Sequence, residues 1–166
     1  MKVNRALLKN GVPETFEEEV DFSTVELDPT HIRKISHCLV KMTATDYEEI
    51  LHISLEINAL VIGVCSYSLE DVELKLKIND SLDFTDDEED TDNYYEKDNL
   101  IDLDPYILGI LLANVPVRIV KNGAKLPKDG AGYRVMSEDD YLKEQSGKKD
   151  SRWDKLDSVQ ISEDDK

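Results

Sequence analysis

Alternation of apolar and polar residues dominates the middle of the chain and predicts β-strands. In residues 51–57 every second side chain is apolar, and the alternation resumes on the other parity at residues 60–64. Because neither Pro nor a Gly pair interrupts this run, we interpret the change of parity at residues 58–59 as a bulge or a sharp bend. Two further strands are predicted, one at residues 38–42 and one at residues 72–84.

Helix signals follow the predicted strands. Asp104 and Pro105 suit the start of a helix, and residues 106–113 are apolar on nearly every side, which predicts a well-buried helix. Pro116 limits this helix, because the residue before a proline avoids the helical conformation. A second short helix is predicted over residues 137–145, where three acidic residues follow a serine.

Together these elements predict an α+β fold with a curved antiparallel β-sheet or partly open barrel, one buried helix and short C-terminal helices. The sheet should occupy residues 36–84, and the first helix should cover or close it. A length of 166 residues suits one domain with an appended tail better than two domains. We expect the domain to span residues 1–146 and a polar C-terminal tail to span residues 147–166.

The net charge of −17 changes the expected partners. Such a surface repels polyanions on average, so contact with RNA would need a local basic patch. An acidic surface also suits basic partners such as ribosomal proteins, although solubility alone explains it equally well. The candidate residues for contact with RNA or another partner lie in one Gly-containing stretch: Arg118, Lys121, Lys125, Lys128 and Arg134. Ordinary solvation of a loop explains this stretch equally well.

The sequence contains no motif of a known catalytic or metal centre. Its three histidines, His31, His37 and His52, lack the spacing of metal ligands and are predicted to be polar residues on the surface or on a strand face. Cys65 ends an apolar strand without a neighbouring base or cation, which favours a core or turn cysteine over a nucleophile. We therefore expect no enzymatic activity, no cofactor and no small-molecule substrate.

Residues 86–92 form the densest acidic run and raise the question of a metal site. The carboxylates are mostly consecutive, and no Gly lies within the run, so the spacing differs from that of a calcium-binding loop. A flexible, solvated loop is the favoured interpretation. A metal-dependent nuclease that uses this run is the remaining enzymatic alternative.

Cysteine content and the N-terminus bear on the compartment. Cys38 and Cys65 form no CxxC pair, and nothing else in the sequence indicates an oxidising compartment. The N-terminus has no apolar segment of signal-peptide length, and no stretch reaches the roughly 20 apolar residues of a membrane helix. We expect a cytoplasmic protein that does not bind membranes.

Several short motifs follow one another along nearly the whole chain. The stretch 63–72 precedes an alternating strand, and an acidic loop, an apolar helix, a Gly-x-Gly element and a terminal Asp-x-Arg element come after it. The positions concerned are Cys65, Leu69, Asp102, Pro116, Gly132, Asp150 and Arg152. This order resembles the YceD family of large ribosomal RNA accumulation proteins, in its Gram-positive branch that lacks the cysteine pairs.

The chain also departs from the family pattern. Ser68 stands where many members have the second cysteine of a central pair, and residues 121–132 contain no cysteine. The resemblance therefore implies no bound zinc in this protein. Leu82 and Ser151 stand where the family usually has Glu and Pro.

The resemblance implies a non-catalytic accessory factor that supports the processing or accumulation of large-subunit ribosomal RNA through ribosome assembly. Its partner would be ribosomal RNA or a ribosomal or assembly protein. The alternative function is that of an acidic adaptor, which sequesters or chaperones a basic partner such as a ribosomal protein.

Overall fold

The structure, a computed structural model, describes residues 1–146. The chain divides into two compact units, Met1–Ala124 and Lys125–Lys166. The predicted polar tail at residues 147–166, with the motif positions Asp150 and Arg152, lies outside the described residues.

Seven strands and one α-helix belong to the first unit, and a second α-helix lies in the described part of the second unit. The strands are β1 (Lys2–Asn4), β2 (Glu14–Glu19), β3 (Ile32–Asp46), β4 (Ile50–Val64), β5 (Asp71–Thr85), β6 (Tyr94–Tyr95) and β7 (Leu100–Asp102). The helices are a short 3-10 helix (Arg5–Leu7), α1 (Asp104–Asn114) and α2 (Glu138–Ser146).

The main sheet has the strand order β2-β3-β4-β5-β6 and is antiparallel except for the short parallel pairing of β5 with β6. β1 and β7 form a separate two-stranded antiparallel sheet. The predicted α+β class and the antiparallel order of the long strands are confirmed, and the main sheet is not closed into a barrel. The sheet begins before residue 36, because β2 pairs along β3, which itself starts at Ile32.

β4 keeps one face in the core along its length. The buried side chains of this face are Leu51, Ile53, Leu55, Ile57, Ala59 and Val61. The predicted change of parity at residues 58–59 is therefore wrong, and the pairing of β4 with β5 is unbroken there. Leu60 and Ile62 are half-buried on the opposite face, so apolar residues on both faces made the alternation ambiguous. The register shifts lie in β3 instead, between Ile32 and His37.

α1 packs against the sheet through one side. Ile107 and Leu111 are fully buried, as is Leu103 just before the helix, whereas Leu112 is 40% exposed. Each such buried Leu or Ile contributes roughly 1.5–3 kcal/mol relative to an exposed side chain. The helix begins and ends close to its predicted bounds, but it is not buried on every side, because the sheet covers only one of its faces.

α2 confirms the predicted second helix, one residue later than expected. Its start is capped by Ser137, whose Oγ accepts a hydrogen bond from the backbone N–H of Asp140 (3.1 Å). Between α1 and α2 the described chain has no helix or strand, only turns and an isolated bridge between Gly130 and Tyr133. α1, the longest helix among the described residues, has 11 residues and is too short to cross a membrane.

Candidate functional site

The segment after α1 is fastened to the turn between β4 and β5. Within this turn the backbone N–H of Cys65 donates to the carbonyl of Glu70 (2.8 Å), and that of Leu69 donates to the carbonyl of Cys65 (2.9 Å). Leu69 has a φ of 59°, the left-handed conformation that lets the chain reverse. The backbone N–H of Ser66 donates to the carbonyl of Ile119 (2.8 Å). The motif positions Cys65 and Leu69 therefore have structural roles in this turn.

Arg118 and Lys121, two of the predicted contact residues, lie at the same turn. The Lys121 ammonium is 3.0 Å from a carboxylate oxygen of Glu70, and its hydrogen bond lowers the pKa of that carboxyl group. The Arg118 guanidinium lies 5.0 Å from the centre of the Tyr67 ring, a cation–π arrangement. Both cations therefore contact groups of their own chain.

The Cys65 thiol is surrounded by hydrogen-bond donors. The backbone N–H of Lys121 donates to Sγ (3.4 Å), and this bond, together with hydrogen bonds from Ser68, lowers the pKa of the thiol. The sequence around Cys65 did not indicate this setting, because Lys121 lies 56 positions further along the chain. The Cys65 side chain is fully buried, as predicted for a core or turn cysteine. At that burial the sulfur has no direct access to a substrate.

The other three predicted contact residues belong to the second unit. A guanidinium nitrogen of Arg134 lies 3.4 Å from a carboxylate oxygen of Glu144. Lys125 and Lys128 are exposed and form no ion pair with any described residue. The structure thus divides the predicted basic stretch between the two units, and at least three of its five cations contact groups of their own chain.

The remaining motif positions among the described residues have structural explanations. An oxygen of Asp102 accepts a hydrogen bond from the backbone N–H of Asp104 at the start of α1 (3.1 Å), and the other oxygen lies 3.5 Å from the ammonium of Lys2. Pro116 follows the end of α1. Gly132 has a φ of 89°, a conformation that glycine adopts readily and other residues rarely do.

An acidic pocket lies between the N-terminal segment, the β3–β4 turn and the chain before β7. Its volume is about 250 Å³, and its lining contains five carboxylates against the two cations of Arg5 and Lys97. The carboxylates are those of Asp46, Glu48, Asp86, Glu96 and Asp98. Arg5 Nε lies 3.0 Å from a carboxylate oxygen of Asp46, and another guanidinium nitrogen donates to the backbone carbonyl of Glu48. Arg5 is thus part of the pocket wall, and the carboxylates of the lining outnumber its cations.

The acidic run at residues 86–92 folds into turns that its own side chains stabilise. Asp87 accepts a hydrogen bond from the backbone N–H of Glu89 (3.0 Å), and Asp90 accepts one from that of Asp92 (2.9 Å). A hydrogen bond from Asn93 lowers the pKa of Asp90, because it stabilises the carboxylate. Most carboxylates of the run are exposed. Within the part of the chain that the structure describes, no three His, Cys, Asp or Glu side chains are grouped so that they could hold a metal ion.

Two histidines form hydrogen bonds to carboxylates on neighbouring strands. Nδ1 of His37 on β3 lies 2.6 Å from a carboxylate oxygen of Glu19 on β2. Nδ1 of His52 on β4 lies 2.6 Å from a carboxylate oxygen of Asp83 on β5. Both rings are strand-face polar residues, as predicted, but their partners follow from the strand register, which the sequence did not determine.

Comparison with known proteins finds a distant similarity. The chain is 29% identical to the uncharacterized protein YlbN of Bacillus subtilis (strain 168) over 134 residues, which cover 75% of this chain and 77% of the relative. The name of that relative assigns it no function. No protein-family profile matches the chain. No solved structure matches it either.

Proposed function

We propose that this protein is a non-catalytic accessory factor of the YceD family that supports the processing or accumulation of large-subunit ribosomal RNA. We propose further that it acts in the cytoplasm by binding a basic ribosomal or assembly protein on its acidic surface. The order of the family motifs along the chain supports the family assignment. The net charge of −17 supports a basic partner, because long-range attraction raises the rate at which opposite charges meet.

The acidic pocket is the observation that carries this proposal. Arg5 lines the pocket, where its guanidinium group donates to the Asp46 carboxylate and to the Glu48 backbone carbonyl, and the lining still has five carboxylates against two cations. Asp86 and Asp98 in the same lining are exposed to solvent. Because one exposed ion pair contributes at most about 1 kcal/mol, binding would require several pairs together, which a Lys- or Arg-rich partner segment supplies.

A pull-down from a bacterial lysate tests the class of partner. The tagged full chain is incubated at moderate salt with and without nuclease, and both RNA and protein are identified in each eluate. A basic ribosomal or assembly protein that is retained after nuclease treatment supports the proposal. Loss of every partner after nuclease treatment contradicts it and favours direct contact with RNA.

Neutral variants of the pocket locate the contact. Asp86→Asn combined with Asp98→Asn removes two negative charges while it preserves the size of both side chains. The matched control, Glu17→Gln with Glu26→Gln, removes the same charge from two exposed positions outside the pocket lining. Retention of the basic partner should fall about tenfold in the pocket variant and little in the control. An equal fall in both would show that net charge, rather than the pocket, governs binding.

The role in ribosomal RNA is testable through the relative in Bacillus subtilis. Deletion of YlbN should lower the amount of large-subunit ribosomal RNA relative to small-subunit ribosomal RNA, and expression of this chain should restore the ratio. An unchanged ratio after deletion would contradict the ribosomal role, whatever partner the pull-down identifies.

Direct contact with RNA is the second candidate function. Lys125 and Lys128 favour it, because both are exposed and form no ion pair with any described residue, which leaves them able to meet phosphates. Lys125→Glu with Lys128→Glu should abolish RNA retention that is sensitive to nuclease. Lys9→Glu with Lys34→Glu makes the same change of charge in the first unit and should leave RNA retention unchanged.

A further inference from the structure

The edge of the main sheet formed by β5 is open over most of its length. β6 pairs with β5 only at Phe84 and Thr85. Residues 71–83 therefore have no strand partner on that side within the described residues. An open edge of this length presents unpaired backbone N–H and C=O groups, with which another strand can pair.

The hydrogen bonds at the two ends of β5 establish which residues direct their backbone groups toward the open edge. The carbonyl of Glu70 accepts from the N–H of Cys65, on the β4 side, whereas the carbonyl of Thr85 accepts from the N–H of Glu96, on the β6 side. The register between β4 and β5 is regular from end to end. Because these directions alternate along a strand, the odd-numbered residues of β5 present their backbone groups at the open edge.

Those odd-numbered residues carry a self-complementary pattern of charge. Asp71 and Glu73 are acidic, Lys75 and Lys77 are basic, and all four are exposed. In an antiparallel pair of two copies centred on Leu74, Asp71 lies opposite Lys77, and Glu73 lies opposite Lys75. A centre at Glu73 or Lys75 would place identical charges opposite each other, which disfavours those registers.

The other face of β5 fits the same register. Val72, Leu74 and Leu76 are half-buried at the margin of the core. A centre at Leu74 places this residue beside its own copy and sets Val72 opposite Leu76. Apolar surface at the margin of both cores would then leave contact with water, which favours association.

We propose that β5 is a dimerisation strand and that two copies of this chain join their main sheets by antiparallel pairing of residues 71–77 about a two-fold axis at Leu74. Such a contact is isologous, because the same residues serve on both sides. The Arg33 side chain, 3.4 Å from Asp71 of its own chain, places a second cation near the carboxylate that meets Lys77 of the other copy.

Charge inversion tests this register. The full chain should sediment as a dimer whose fraction rises with protein concentration. Lys75→Glu with Lys77→Glu leaves four acidic residues on each strand, and Asp71→Lys with Glu73→Lys leaves four lysines. Each double variant should raise the dissociation constant of the dimer about 30-fold or more. An equimolar mixture of the two should recover the dimer, because opposite charges then face each other again.

A matched control and two contrary outcomes complete this test. Lys9→Glu with Lys34→Glu changes the net charge by the same amount away from the edge and should leave the dimer intact. A wild-type chain that stays monomeric at every concentration overturns the proposal and leaves the β5 edge to a partner of different sequence. A dimer that persists in both inverted variants also overturns it, because the copies then join elsewhere.

Single-cysteine variants give a second measurement that does not depend on charge. In the Leu74→Cys variant the two introduced thiols lie opposite each other, with Cα atoms about 4.5–5.5 Å apart, which a disulfide can span. In the Leu76→Cys variant the thiol lies opposite Val72. The native Cys38 and Cys65 are both buried. Diamide should therefore link the first variant into a covalent dimer and leave the second monomeric, and equal behaviour of the two would overturn the proposal.

Discussion

The two edges of the main sheet differ in the order of their charges. β2 carries Glu14, Glu17, Glu18 and Glu19 without a basic residue, so pairing with a copy of itself would set carboxylates against carboxylates. β5 has acidic residues at one end of residues 71–77 and basic residues at the other, so an antiparallel copy meets opposite charges. The order of acidic and basic residues along the strand, rather than the hydrophobic pattern, distinguishes an edge that is protected from pairing with its own copy from an edge that can pair.

Removal of Phe84 should give the largest effect, because this residue anchors the end of the β5 edge. It is 1% exposed, and its ring centre lies 5.1 Å from that of Tyr106 and 5.7 Å from that of Tyr94. Phe84→Ala should lower the free energy of unfolding by about 3–5 kcal/mol in urea denaturation. The exposed Tyr95 on β6 is the control, and Tyr95→Ala should cost less than about 1 kcal/mol. Equal losses of unfolding free energy in the two variants would show that β6, rather than Phe84 alone, anchors the end of the β5 edge.

Amide hydrogen exchange should separate the two edges directly. At protein concentrations well above the dissociation constant, the amides of Glu73 and Lys75 should exchange about tenfold more slowly than in dilute solution, because the second copy accepts their hydrogen bonds. The amides of β2 that face away from β3 should exchange equally fast at both concentrations. Slower amide exchange at β2 without slower exchange at β5 would show that β2, and not β5, is the edge that pairs.

The segment that leads into β2 depends on Asp46. Its carboxylate accepts a hydrogen bond from Arg5 (3.0 Å), and its backbone carbonyl accepts one from Gly11 (2.7 Å). Asp46→Asn weakens the largely buried ion pair and should lower the free energy of unfolding by about 1 kcal/mol. Exchange should accelerate in β2 and not in β5. Asp98→Asn, an exposed change in the same pocket, is the control and should leave both edges unchanged.

Glu70, at the start of the β5 edge, should give the smallest effect. Lys121 lowers the pKa of this carboxyl group below its usual value of 4.5, so the ionised group stabilises the fold above that value. The contribution is lost as the pH falls through the lowered pKa of the folded state. Glu70→Gln should therefore be slightly less stable than the wild type near neutral pH and equal to it in strong acid. Urea midpoints that differ equally at both pH values would contradict this explanation.

The candidate site shows which of its features can be predicted from local sequence and which cannot. The basic stretch was visible because its five cations are close in sequence, yet the structure divides them between two units and joins Lys121 to Glu70 and Cys65. The acidic pocket had no sequence signal, because its lining combines residues near 5, near 46 and between 86 and 99. A cluster of like charges can be recognised from neighbouring positions in the sequence. The groups that each charge contacts cannot.

The sequence by itself determined the three long strands, α1 and α2, because periods of two and of 3.6 residues and the capping residues act within a few positions. Only the tertiary structure decided the unbroken parity of β4, the pairing of β1 with β7 and the cross-strand partners of His37 and His52. The physical reason is that register and contact depend on which distant segments share a core. That choice belongs to the packing of the whole chain and not to any local pattern.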